Sequence, residues 1–256
     1  MEGKVFAVTG AGSGIGRATA IRLAELGAQG VAISDVDQAG LQETESLCSQ
    51  YPAKLTVKQV DVSNAEQVNA WIKDTVAVFG KLDGAANIAG IASGDGQITE
   101  AIDQRAWDKM IAVNLTGVMN CMRAELQEIT RPGGSIVNVS STSGLRGLPN
   151  NAAYASSKFG VIGLTESAAG EYGRKGIRLN AVLPGPIDTK IFREGEAKGL
   201  FNADIVSAGT LMGRMGKAEE VAKVLVFLLS SDASYVTGAH WTVDGGYAAC
   251  GFYKAG

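Results

Sequence analysis

The segment YASSK places a phenol, Tyr154, four residues ahead of an ammonium, Lys158. Side chains at that spacing share one face of a helix. A free tyrosine titrates near pH 10 and is a poor proton relay at neutrality. Lowering it by ~2–3 units takes about 3–4 kcal/mol, and one cation at ~4 Å in a partly dry site supplies roughly that much. The pair is therefore either a solvated contact on an ordinary helix or a tuned acid that needs no histidine. The serines Ser140 and Ser141 lie a short distance upstream.

A second stretch with chemistry in it is TGAGSGIG, residues 9–16. Gly10, Gly14 and Gly16 follow G-x-x-x-G-x-G, with Gly12 in addition and Ser13 and Ile15 between them. No frame matches G-x-G-x-x-G, but the physics is shared: a tight turn, bare backbone N–H groups, and a helix N-terminus facing an anion. Asp35 follows about 20 residues later, where an acid accepts hydrogen bonds from a ribose diol. No basic residue adjoins it in ISDVDQ. A 2′-phosphate there meets like charge, about 4 kcal/mol per pair at ~4 Å and an effective dielectric of 20. NAD is therefore expected over NADP, with Arg17 the one nearby cation that weakens the preference. Asp35 has an alternative use as a helix N-cap, which Asp37 fills at least as well.

These residues need a frame. Strand-like runs at 4–10, 30–35, 54–62, 82–90, 134–141, 176–185 and 239–245 alternate with helical patterns at 14–28, 38–49, 64–78, 103–130 in pieces, 152–173 and 217–229. Near-continuous apolar strands between helices predict a parallel sheet covered on both faces. The expectation is an α/β fold, a Rossmann-type doubly wound sheet of seven strands in a single domain, 1–256. The segment 186–216 is irregular and long for a connection, and such loops are usually lids or binding loops.

Composition bounds the rest. A net charge of −3 excludes general nucleic-acid binding. Cys48, Cys121 and Cys250 are too scattered for a disulfide framework or a metal site. His240 is the sole histidine, so a histidine base or His-rich metal centre has nothing to build on. MEGKVFAVTG shows no signal-peptide pattern, and VLVFLL at 224–229 is too short to span a bilayer. No metal, no membrane and a cytoplasmic location are expected.

TGAGSGIG, NIAG (87–90), Asn114 in VNLTG, VNVSS (137–141), YASSK and LPGPIDT (183–189) occur in order. The ordered set resembles the short-chain dehydrogenase/reductase family, in its single-domain branch of about this length. The resemblance runs from residue 3 to about 246. It implies that Tyr154 is the acid/base for the substrate oxygen, and that Lys158 lowers its pKa and holds the nicotinamide ribose. It implies that Ser141 hydrogen-bonds the reacting oxygen, its offset of 13 residues from Tyr154 favouring it over Ser140. Asn114 would hold a water linking Lys158 to solvent. By the same likeness Asp61 and Val62 bracket adenine, Asn87 and Gly90 line the ribose side, and Pro184, Gly185, Ile187 and Thr189 meet the nicotinamide carboxamide. The reaction implied is NAD(P)(H)-dependent interconversion of a secondary alcohol and a ketone. A non-redox enzyme or a cofactor-binding protein on the same fold is the alternative.

The substrate is expected beneath the 186–216 loop, whose Ile191, Phe192, Leu200, Phe201, Ile205, Leu211, Met212 and Met215 suit a largely apolar small molecule. Residues 91–98 and 142–151 would be the other walls. Arg146 and Arg193 are either anion contacts or solvated surface charge. Family likeness further implies a homotetramer, and the apolar tail 247–256 either reaches a neighbouring subunit or frays.

Overall fold

The computed structural model describes residues 1–92, 96–197, 199 and 202–249. Successive residues of a strand point to opposite faces, so an apolar strand in a parallel sheet must be covered on both. β1 (Val5–Thr9) is buried throughout. Its Phe6 and Val8 join one apolar cluster and its Ala7 the other. The further strands are β2 (Gly30–Asp35), β3 (Lys54–Gln59), β4 (Gly84–Asn87), β5 (Ser135–Val139), β6 (Arg178–Pro184), the two-residue β7 (Ile187–Asp188) and β8 (Gly216–Lys217), and β9 (His240–Val243). Seven of them form one sheet in the order β3-β2-β1-β4-β5-β6-β9, and every pairing is parallel. This is the Rossmann-type doubly wound sheet the alternation predicts.

The helices are α1 (Gly14–Glu25), α2 (Gln38–Cys48), α3 (Ala65–Phe79), α4 (Gln104–Ile111), α5 (Gly117–Glu128), α6 (Ala152–Tyr172), α7 (Lys190–Ala197), α8 (Ala203–Ala208) and α9 (Ala218–Leu229). Leu23 of α1, Leu41 of α2 and Leu225 of α9 pack on one face; Trp71 of α3, Val118 of α5 and Val161 of α6 pack on the other. Fully buried side chains such as Phe6 and Leu23 contribute roughly 1.5–3 kcal/mol each. Among the described residues no helix is long and apolar enough to cross a membrane.

Three expectations need correction. α1 stops at Glu25 rather than 28 because the chain turns at Gly27, whose φ is +76°. The strand at 54–62 stops at Gln59 because Asp61 bends the chain by accepting from the Ser63 N–H at 2.9 Å. The stretch 186–216 is not irregular throughout: β7 pairs with β8, and α7 and α8 lie between them. Leu200 and Phe201 of that loop, residues 93–95 of the proposed wall, and residues 250–256 with Cys250 lie outside the described residues.

Candidate active site

Sheet order reverses at β1 and β4, and ligands of such sheets bind beyond the C-terminal strand ends at that point. There the β1–α1 turn is so tight that only glycine fits. A Cβ on Gly16 would lie 2.0 Å from the Gly10 carbonyl oxygen, and one on Gly10 would lie 2.7 Å from the Ala89 nitrogen. Thr9 Oγ1 accepts from the Ile88 and Ala89 N–H groups at 3.0 and 3.1 Å, tying this turn to the end of β4. Ser13 places no side-chain cap on α1, whereas Asp37 caps α2 and Asn64 caps α3. The first N–H groups of α1 are thus left for an anion.

Asp35 accepts from the Gly12 and Asp37 N–H groups at 2.9 and 3.0 Å. Its carboxylate is therefore fixed at the glycine turn, and Asp37 performs the capping. Arg17 is paired with Glu43 at 2.7 Å and Thr44 Oγ1 at 3.1 Å, and it also donates to the Gly12 carbonyl of the turn at 2.5 Å, so a cation stands beside the glycine turn. Ser34 Oγ, beside Asp35 on the cleft wall, is buried without a hydrogen-bond partner among the described residues. A glycine cradle, an uncapped helix start, a fixed carboxylate and an orphaned hydroxyl together fit a nicotinamide dinucleotide.

At the other end, α6 carries Tyr154 and Lys158 on one face, with Lys158 Nζ 5.6 Å from the phenol ring centroid. Lys158 is 4% exposed and donates to the Val139 carbonyl at 3.1 Å. Ser141 follows β5, accepts from the Ser143 N–H at 3.1 Å and shares a hydrogen bond with Tyr154. Ser140 instead donates to the Lys158 carbonyl at 2.7 Å and so fastens α6 to β5. The two serines thus have different partners, Ser141 on the cleft side with Tyr154 and Ser140 on the α6 backbone. Gly90 keeps the approach open: a Cβ there would stand 3.5 Å from Lys158 Nζ and 3.2 Å from Asn114 Oδ1.

Burial acts on both titrating groups. It pushes the Tyr154 phenol up, opposed by the Ser141 hydrogen bond, and it pushes the Lys158 ammonium down to about 8. This corrects the expectation that the cation's field governs the phenol: desolvation is the larger influence on each. The consequence is a phenol that holds its proton at ordinary pH beside an ammonium close to losing its own.

A cleft of about 1100 Å³ joins the two ends. Gly10, Ser13, Gly14, Ile15, Gly16, Asp35, Asp61, Val62, Gly90, Ser141, Tyr154, Lys158, Pro184, Gly185, Ile187 and Thr189 all border it. Asn87 does not. Its side chain turns into the helical layer, where Nδ2 donates to Glu125 Oε2 and Asn138 Oδ1, both at 3.0 Å. It holds the sheet together rather than lining the ribose side. Asn114 is also behind the wall, fully buried in a π-helical turn, Ala112–Thr116. Its amide is engaged with the main chain of Ile91, donating and accepting at 2.8 Å, so its side chain fixes that wall.

On the substrate side, Ile191 and Phe192 border the cleft, with Ile91, Ala92 and Gly96 opposite and Thr142, Ser143 and Arg146–Asn151 beside them. Ile205, Leu211, Met212 and Met215 do not. Met212 is drawn off because its N–H bonds the Gly245 carbonyl at 3.2 Å, and Leu211 sits against Gly246. Arg193 is paired with Asp188 and Glu196 and offers no anion site. Sequence reasoning missed Thr9, Lys109, Lys190 and Tyr247 as site-forming residues. Lys190 directly follows Thr189, which was a usable signal; Lys109 and Tyr247 gave none.

This fold, with Ser141, Tyr154 and Lys158 beside a dinucleotide cleft, marks an oxidoreductase, and the chain belongs to the short-chain dehydrogenase/reductase family. Residues 10–248 match the family model described as enoyl-(acyl carrier protein) reductase. The chain is 44% identical over 254 residues to the short-chain dehydrogenase/reductase ABA4 of Pyricularia oryzae, covering 96% of this chain and 93% of that one. A crystal structure of levodione reductase matches with a TM-score of 0.90 at 36% identity, covering 98% of this chain and 100% of that one. A structure of ElxO with NADP bound matches at 0.87 and 35%, with coverage of 98% and 100%.

Proposed function

We propose that this chain interconverts a secondary alcohol and a ketone on a small, largely apolar molecule, preferring NAD(H) over NADP(H). The observation that carries the reading is the meeting of Ser141, Tyr154 and Lys158 at one end of a cleft whose other end is the glycine turn and Asp35. A bound nicotinamide would supply or accept the hydride. Tyr154 Oη gives the proton to the carbonyl oxygen in reduction and takes it back in oxidation. Ser141 hydrogen-bonds that oxygen and orients it. Lys158 holds the ribose and, while charged, stabilises the phenolate that proton transfer leaves behind.

Gly10, Ser13, Gly14, Ile15 and Gly16 would receive the pyrophosphate, Asp35 the adenosine ribose, Asp61 and Val62 the adenine, and Gly90 would line the cofactor's ribose side. Pro184, Gly185, Ile187 and Thr189 would hold the carboxamide. The NAD preference rests on Asp35 and Asp37 at the end of β2; the NADP in ElxO belongs to that protein. The local counterweights are Lys190, 3.4 Å from Asp37 and 60% exposed, and Arg17, which is on the Gly12 carbonyl and paired with Glu43. The same reading takes the chain as one catalytic domain with the substrate loop at 186–216, working as a homotetramer in the cytoplasm.

Initial rates on cyclic and acyclic ketones, with NADH and NADPH in separate assays, test it. The expected result is turnover with a higher kcat/KM for NADH, and a preference shifted toward NADPH by at least about tenfold in Asp35→Ala, one like-charge contact. A native preference for NADPH would overturn the role given to Asp35.

A further inference from the structure

The substrate end of the cleft carries a cation that the reaction does not use. Arg146, in the loop between β5 and α6, borders the cleft and has no acidic partner among the described residues. Arg193 and Arg214, from the segment between β6 and α9, are both neutralised by carboxylates. Arg146 is nonetheless held in place. Its guanidinium lies over the Tyr247 ring, 4.7 Å from the centroid, and one Nη donates to the Tyr247 carbonyl at 3.1 Å.

Tyr247 is itself fixed. Asp244 accepts from the Gly246 and Ala248 N–H groups at 2.9 and 2.8 Å, and its ring edge approaches Gly209, so that a Cβ there would meet it at 3.1 Å. Stacking sets the plane of the guanidinium, and a single carbonyl engages only one of its five donors. A planar, oriented fork with spare donors is the group that suits a carboxylate. Lys109 of α4 also borders the cleft without an acidic partner among the described residues. Glu194, from the 186–216 segment, borders the cleft as an opposing charge.

We infer that Arg146, stacked on Tyr247, anchors a carboxylate on the part of the substrate remote from the reacting carbon. This names the substrate class within the function proposed above and rests on it: an apolar keto or hydroxy acid, its ring or chain against Ile191 and Phe192, its acid at Arg146. Arg146 is then a specificity-determining residue, while the proton stays with Tyr154.

The test uses two matched probes, 4-oxocyclohexanecarboxylate and its methyl ester, with NADH and NADPH, and reads the ratio of their kcat/KM values. Binding of the unreactive cyclohexanecarboxylate and its ester is read in parallel by calorimetry. The native chain is expected to favour the carboxylate by about tenfold or more, the size of one charge-assisted contact. Arg146→Gln should erase that ratio, chiefly through KM, and Arg146→Lys should keep part of it. A native ratio near one, or a fall in Arg146→Gln that strikes both probes equally, overturns the inference. Carboxylate binding that depends on Arg146 in a chain that reduces neither probe supports the anchor and sinks the oxidoreductase reading. Turnover without Arg146-dependent binding does the reverse.

Discussion

At the scale of single residues, the proposed proton transfer rests on desolvation of two neighbouring groups. Partial burial of Tyr154 and near-complete burial of Lys158 disfavour the charged form of each, so the phenol keeps its proton and the ammonium becomes easy to lose. Lys158 ordinarily titrates at 10.5 and is pushed down to about 8. Below that value it is charged and can stabilise a forming phenolate; above it the stabilisation goes. Ketone reduction should therefore fall as pH rises through about 8, in a pH profile of kcat/KM. Lys158→Met should lower the rate at neutral pH and remove that descending limb, and an unchanged limb would assign it to another group. The residues that could do this chemistry were legible because spacing alone puts positions 154 and 158 on one helix face. The balance of forces on them was not, since burial depends on α6 being pressed against β5 by Ser140.

At the scale of elements, the glycine turn and the strands were readable from local pattern, whereas long-range partnerships were not. Asn87 shows why. Its neighbours Ile88 and Gly90 border the cleft, but as the last residue of β4 its side chain goes to the other face. There it meets Glu125 of α5 and Asn138 of β5, and Asn138 donates on to Thr165 of α6 at 2.9 Å. Glu125 is fully buried, and burial pushes its carboxyl up to about 8 from an ordinary 4.5. Between those values the folded chain holds a proton that the unfolded chain has released. The stability this gives is complete below about 4.5, declines as pH rises, and is gone above about 8. Glu125→Gln, which keeps the shape without the titration, should flatten the decline of Tm across that window and leave the chain more stable than native near pH 9. A parallel decline in the variant would place the effect elsewhere. The π-helical turn at Asn114 was equally hidden, and the side chain it carries bonds Ile91, 23 residues away.

At the scale of the whole molecule, the fold brings residues from five separated segments to one crevice. The turns after β1, β4, β5 and β6 and the start of α6 all lie at the C-terminal side of the sheet. That convergence is what a parallel sheet with right-handed crossovers provides, and it was foreseeable from the alternation of strands and helices. The substrate side was less so: the C-terminal segment and the 186–216 loop pack on each other at Gly245 and Gly246, which withdraws Leu211 and Met212 from the cleft. In the proposed reaction Tyr154 relays the proton within a cleft that binds the dinucleotide independently of it. Tyr154→Phe, assayed for NADH affinity by fluorescence titration and for ketone reduction by initial rates, tests it most directly. NADH should bind within a few-fold of native while turnover falls by about 10²–10⁴, the usual worth of a positioned acid. Turnover that survives within several-fold would contradict it.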